Sequence, residues 1–205
     1  MKKGKILTII IILVSIIVIS FLIIFNNKKS KTCKIGNNNS NQEIVDYILN
    51  ISSYELTAQI EINSNKNKTK YIVNQKYING NEIIQEIQEP SNIQGVKIIK
   101  EGNNVKIENS QLGLSNIYEN YEYIAENDLD LECFIQDYKN NNESTCERTD
   151  NILKMTTISK KNKYRKYKTL YIDTNIGNPV KLEIEDDNKN TTVYILYTEV
   201  RINNS

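Results

Sequence analysis

The sequence predicts an antiparallel α+β domain behind a single membrane-crossing helix, and three observations lead there. Ile6–Phe25 is an apolar run broken only by Thr8, Ser15 and Ser20. From Ser40 to Ile51 the apolar residues recur at helical spacing. From Tyr54 onward the period drops to 2 and returns in short runs divided by Asn, Gly and Asp turns.

Twenty residues at helical rise span about 30 Å, the hydrocarbon thickness of a bilayer, and lipid offers a backbone no alternative to intrahelical hydrogen bonds. Ser20–Lys31 has no pair of small residues spaced for a signal peptidase, so an uncleaved anchor is expected. Lysines flank both of its ends: Lys2, Lys3 and Lys5 before it, Lys28, Lys29, Lys31 and Lys34 after it. The preferred orientation puts the short N-terminal tail in the cytoplasm and exports the rest. The expected organisation is an N-terminal tail and anchor over 1–25, a polar tether over 26–41 (NNKKSKTCKIGNNNSN) and an exported domain over 42–205.

Ser40 with Glu43 three residues on is a capping box, ahead of Ile44, Val45, Tyr47, Ile48 and Ile51 on one helix stripe. Tyr54–Ile62 then alternates strictly, with Tyr54, Leu56, Ala58, Ile60 and Ile62 on one face and Glu55, Thr57, Gln59 and Glu61 on the other. Further strands are expected at Lys70–Tyr77, Glu82–Gln88, Val96–Lys100 and Val105–Glu108, the last two joined across Glu101-Gly-Asn-Asn104. Leu112–Glu126 reads as a loop. Asp128–Tyr138 spaces Leu131, Phe134, Ile135 and Tyr138 as a second helix. Ile152–Ser159, Tyr164–Asp173, Pro179–Glu185 and Thr192–Ile202 complete about nine strands with one sheet face covered.

Charge divides the same way. The whole chain has 26 basic and 25 acidic residues, but seven lysines and no acid fall in 1–34, leaving 19 against 25, or −6, in 35–205. An acidic domain on a membrane anchor argues against a nucleic-acid partner. The chain has no His and only seven Gly. Ser-His and Cys-His nucleophile pairs and His-ligated zinc are therefore excluded, and phosphate-cradling glycine motifs have no local signature. No cofactor or metal site is expected. A carboxylate-only hydrolase stays open on composition, although no carboxylate pair takes an acid/base role.

Three features could carry function. Cys133 and Cys146, thirteen positions apart, are candidates for a disulfide in an exported domain, against the alternative of two separate thiols; Cys33 sits in the tether. Lys160–Lys168 interleaves six cations with two tyrosines, so Tyr164, Arg165, Lys166 and Tyr167 are candidates for an acidic partner face or anionic surface. The same run also reads as a solvated hairpin whose lysines discourage edge pairing. All thirteen tyrosines follow the anchor, and Tyr118, Tyr121 and Tyr123, in the expected loop, are interface candidates.

Tyr77–Asn109, a strand, Glu89-Pro90, a strand led by Gly95, a Gly-Asn turn and a further short strand, resembles the middle of LolA/LolB-like lipoprotein-localisation domains. Asn178–Ile184 followed by a turn and Tyr194–Asn203 is similar to their two closing strands. With its Asn/Ile/Lys-rich composition, membrane-bound N-terminus and helix before Tyr54, the chain looks most like the GerS-like clostridial germination lipoproteins. The resemblance spans roughly 40–205 and implies a half-barrel of antiparallel strands wrapped around helices. It also implies a non-enzymatic partner of a zinc-dependent spore-cortex amidase, placed between mother-cell and forespore membranes. The chain departs from a lipoprotein at Cys33, where Ser30-Lys31-Thr32 replaces a lipobox.

The expected function is therefore that of a membrane-anchored accessory protein binding an exported partner. The alternative is a lipid or lipoprotein carrier using the concave face. A homodimer formed by exchanged elements is compatible with such a strand-rich fold.

Overall fold

The computed structural model describes residues 40–64, 67–120, 129–159 and 163–204, all of which belong to the unit Cys33–Ser205. The expected anchor at 6–25, the tether up to residue 39, Tyr121 and Tyr123 lie outside the described residues. Among the described residues no helix is long and apolar enough to cross a membrane.

Ser40 caps helix α1 (Asn41–Leu49) as the sequence predicts. Its Oγ accepts from Glu43 N–H at 3.3 Å, and Glu43 Oε2 accepts from Ser40 N–H at 3.0 Å. Ile44, Val45 and Ile48 are buried. Ile51 does not continue the stripe, because Asn50 ends the helix and Ile51 already opens β1 (Ile51–Asn63). A capping box whose two bonds are both formed is worth about 1 kcal/mol. Ser40→Ala is expected to lower unfolding free energy by about that much in a urea titration, with little change in slope.

The strands follow as β2 (Lys68–Ile78), β3 (Glu82–Glu89), β4 (Val96–Glu101), β5 (Asn104–Asn109) and β6 (Leu114–Tyr118). Helix α2 (Leu131–Asn140) leads to β7 (Thr145–Thr149), β8 (Ile152–Ile158), β9 (Tyr167–Asp173), β10 (Asn178–Glu185) and β11 (Thr191–Asn204). They form one open antiparallel sheet in the order β6-β5-β4-β3-β2-β1-β11-β10-β9-β8-β7. Two meanders thus run outward from a central pair, β1 and β11, which are also the longest strands. The result matches the half-barrel expected from the sequence, with eleven strands where about nine were expected. β6 lies inside the expected loop Leu112–Glu126, and β7 follows α2.

One face of this sheet, here the inner face, meets the helices. Tyr54, Leu56, Ala58 and Ile60 of β1, Leu170 and Ile172 of β9, Leu182 and Ile184 of β10, and Val193, Ile195 and Tyr197 of β11 join α1 and α2 in one buried cluster. A bulge in β11 resets the alternation. Glu55 pairs with Arg201 but Thr57 with Thr198, so Glu199 and Val200 of β11 together stand opposite the single Leu56 of β1. Glu199 takes φ +52° there. Inward positions change from Val193, Ile195 and Tyr197 to Val200 and Ile202, keeping apolar residues on the core and Glu199 outside.

Candidate functional site

The inner face is gripped by charge as well as by packing. Asp130, fully buried, is the N-cap of α2: its Oδ1 accepts from Cys133 N–H at 2.7 Å and its Oδ2 accepts from Lys100 Nζ on β4 at 2.9 Å. Toward the other end of the helix, the equally buried Lys168 of β9 donates to Asp137. Gln75 Nε2 donates to Leu129 O at 2.9 Å, and Asn141 Nδ2 donates to Ile158 O at 2.9 Å. Strands from both meanders therefore hold α2, one at each end. Buried ion pairs of this kind fix geometry more than they add stability.

Burial shapes the tyrosines around this helix. It pushes Tyr77 up to about 12, with the Glu132 carboxyl adding to the shift, and Tyr138 up to about 12. Burial also raises Tyr54 and Tyr197, and the Asp130 carboxylate raises both further. Burial raises the Glu132 carboxyl too, even though Gln136 donates to it. Between pH 10 and 12 an unfolded tyrosine has lost its proton while these folded ones keep theirs, so the folded state binds more protons and its stability falls as pH rises. The melting temperature is expected to hold below about pH 10 and drop steeply by about pH 12. Tyr54→Phe combined with Tyr197→Phe should flatten that drop; a flat profile in the unmodified chain would contradict the burial described.

The candidates from the sequence are scattered by the fold. Tyr118 ends β6, at one edge of the sheet, half-buried; seven strands separate it from β9 in sheet order. Tyr164 precedes β9 rather than opening it and is 63% exposed, with Lys163 Nζ 5.0 Å from its ring centre. Lys166 pairs with Asp187, and Lys189 sits 3.0 Å over the Tyr167 ring. Arg165, between Tyr164 and Lys166 in sequence, is half-buried. Among the described residues of the basic run, Lys166 and Tyr167 thus meet the β10–β11 turn, and Lys168 goes to the interior because β9 alternates Lys168, Leu170 and Ile172 inward. Cys133 and Cys146 stand as thiols, not as the candidate disulfide. Cys133 Sγ lies 3.9 Å from Lys168 Nζ, and Cys146 is on β7 opposite Met155.

Sequence reasoning missed the outer face. There Lys181 Nζ lies 3.7 Å from the Tyr171 ring centre and 5.6 Å from that of Tyr194, and Tyr171 Oη donates to Glu183 at 2.6 Å. Beside the β11 bulge, Thr57 Oγ1 lies 3.2 Å from Glu199 Oε2 and Lys76 Nζ 2.8 Å from Glu55 Oε1. These residues, with Asn74 and Arg201, line a groove of about 160 Å³. A second groove of about 330 Å³ is lined by Ser53, Tyr54, Tyr77, Asn79 and Asn203 among others. Among the described residues no group of three or more His, Cys, Asp or Glu could hold a metal ion. The outer face thus carries paired charges, hydroxyls and aromatic rings on the sheet.

No protein-family model matches the chain, and no curated protein does. Solved structures do. An uncharacterised conserved protein from Thermus thermophilus is 14% identical with a TM-score of 0.50, covering 82% of this chain and 90% of that one. The structure of the CwlD amidase from Clostridioides difficile in complex with the GerS lipoprotein contains a chain 20% identical, with a TM-score of 0.51, covering 82% of this chain and 97% of that one. A LolA superfamily protein from Nitrosomonas europaea is 13% identical over 82% of this chain and 95% of that one, with a TM-score of 0.43. At 14% and 20% identity, what the first two share with this chain is the fold.

Proposed function

We propose that this chain is a membrane-anchored, non-catalytic accessory protein that binds and supports an exported amidase of spore-cortex peptidoglycan. The observation that carries this reading is the fold shared, across nearly the whole of that chain, with a component of the amidase–lipoprotein complex of Clostridioides difficile. Residues 6–25 hold the domain to the membrane on the exported side, where such an amidase works. Zinc in this assembly belongs to the amidase.

The arrangement of the inner face favours this reading over lipid carriage. A carrier needs an apolar cavity, whereas here α1, α2 and the buried ion pairs occupy the concave side, and the groove beside the β11 bulge is lined mostly by polar residues. The test is co-purification of the full-length chain from sporulating cells, with mass spectrometry of both proteins and lipids. A cell-wall amidase in stoichiometric amount is the expected result; bound acyl lipid with no amidase would favour carriage instead.

A further inference from the structure

We propose that the β5–β6 hairpin dips Leu112, Leu114 and Ile117 into the surface of the bilayer that holds residues 6–25; this rests on the membrane anchor in the reading above. Among the described residues six large hydrophobic side chains stand exposed, and three of them fall within residues 112–117: Leu112 at 68%, Leu114 at 59% and Ile117 at 64%. The others are placed one each before β9 (Tyr164), between β9 and β10 (Ile176) and on β11 (Leu196). Exposed apolar residues that stand singly are ordinary, whereas a cluster marks a contact.

The hairpin holds these side chains out. Asn109 Oδ1 accepts from Gln111 N–H and Leu112 N–H, both at 3.1 Å, and Gly113 takes the φ of +63° that the turn requires. Tyr118 stands opposite the buried Val105, so Leu114, four residues before it, lies on the inner side of the sheet and Ile117 on the outer side. A core on one face cannot cover both. The same stretch suits entry into lipid, because residues 110–118 (SQLGLSNIY) contain no charge that would have to be dehydrated, and Lys106 and Glu108 on the outer face of β5 pair with each other. The chain ahead of the domain names the occupant. Fourteen residues, 26–39, separate the apolar segment 6–25 from Ser40, and even fully extended they reach only about 45 Å. The domain is thus confined beside the bilayer, where the high effective concentration makes a weak contact sufficient. A few leucine-type side chains at the headgroup boundary supply such a contact without anionic lipid.

The sequence has no Trp, so a single introduced tryptophan reports on its own position. Full-length chain carrying Leu112→Trp, or Ile176→Trp as the control, is assembled into nanodiscs of phosphatidylcholine and of brominated phosphatidylcholine, whose bromine quenches tryptophan in the acyl region. Both positions are exposed, so both variants should melt like the unmodified chain. The expected result is a loss of emission from Leu112→Trp in the brominated discs that persists in high salt, and equal emission from Ile176→Trp in the two kinds of disc. Adding Leu114→Asp and Ile117→Asp to Leu112→Trp should restore its emission, because the carboxylates resist dehydration. Equal emission from Leu112→Trp in both discs, or the same loss at both positions, would overturn the contact. So would protection of position 112 from acrylamide by the purified amidase without quenching by lipid; the hairpin would then be a protein contact, and the accessory function would stand. Chain that does not stay with the discs would overturn the anchor and this contact together.

Discussion

Asp130→Ala is expected to destabilise the domain by about 4 kcal/mol, enough to leave little of a typical domain's folding free energy. Two losses combine. The carboxylate caps α2 through Cys133 N–H, a contribution of about 1 kcal/mol, and it neutralises Lys100, whose side chain is only 9% exposed. Removing it strands an ammonium group under the helix, the situation in which breaking a buried pair costs about 3–5 kcal/mol. The compensating variant separates the two. Asp130→Ser with Lys100→Met keeps a capping oxygen and removes both charges, and should recover most of the lost stability. Denaturant melts of the three proteins check this; equal losses for the single and double variants would show that the ion pair is not what matters.

At the other end of the helix, Asp137→Ala is expected to cost about 3 kcal/mol and Lys168→Met distinctly less. The asymmetry comes from burial. The Lys168 side chain is 1% exposed and that of Asp137 20%, so a widowed Asp137 can turn to water while a widowed Lys168 cannot. Met fills the volume of the lysine stem with no charge to solvate. The same melts decide it, and a larger loss for Lys168→Met than for Asp137→Ala would reverse the assignment of which charge is trapped.

These two pairs were the least visible features of the sequence. Lys168 sits in a run of six cations, and only its place two before Leu170 and four before Ile172 marks it as inward-facing. Asp130 stands two residues after Asp128, from which the expected helix starts; the cap falls at Asp130 because its carboxylate also meets Lys100, a contact 30 residues away in the chain. By contrast α1 and β1 were legible, since a capping box and a nine-residue alternation are local signals. β6 and β7 were not. Leu114–Tyr118 and Thr145–Thr149 are five residues each and alternate poorly, being edge strands with little to bury. The β11 bulge was equally hidden, because Tyr197-Thr-Glu-Val200 breaks the alternation in a way that only pairing with Glu55 and Thr57 resolves.

For the candidate surfaces the limit was topological. Tyr118 and Tyr164–Tyr167 share a composition suited to interfaces, yet seven strands stand between β6 and β9 in the sheet. Leu112, Leu114 and Ile117 fall in a stretch that reads as a loop, and only pairing with β5 shows that Leu114 and Ile117 belong to a strand. Which residues share a surface is set by the sheet order, and that order is built outward from the central pairing of β1 with β11.

The most direct test of the accessory function is the activity of the purified spore-cortex amidase on isolated peptidoglycan, with and without the full-length chain. Stable complex formation with a several-fold rise in amide cleavage, and no cleavage by the chain alone, is the result expected. An amidase that neither binds the chain nor changes its rate, or muropeptide release by the chain on its own, would contradict it.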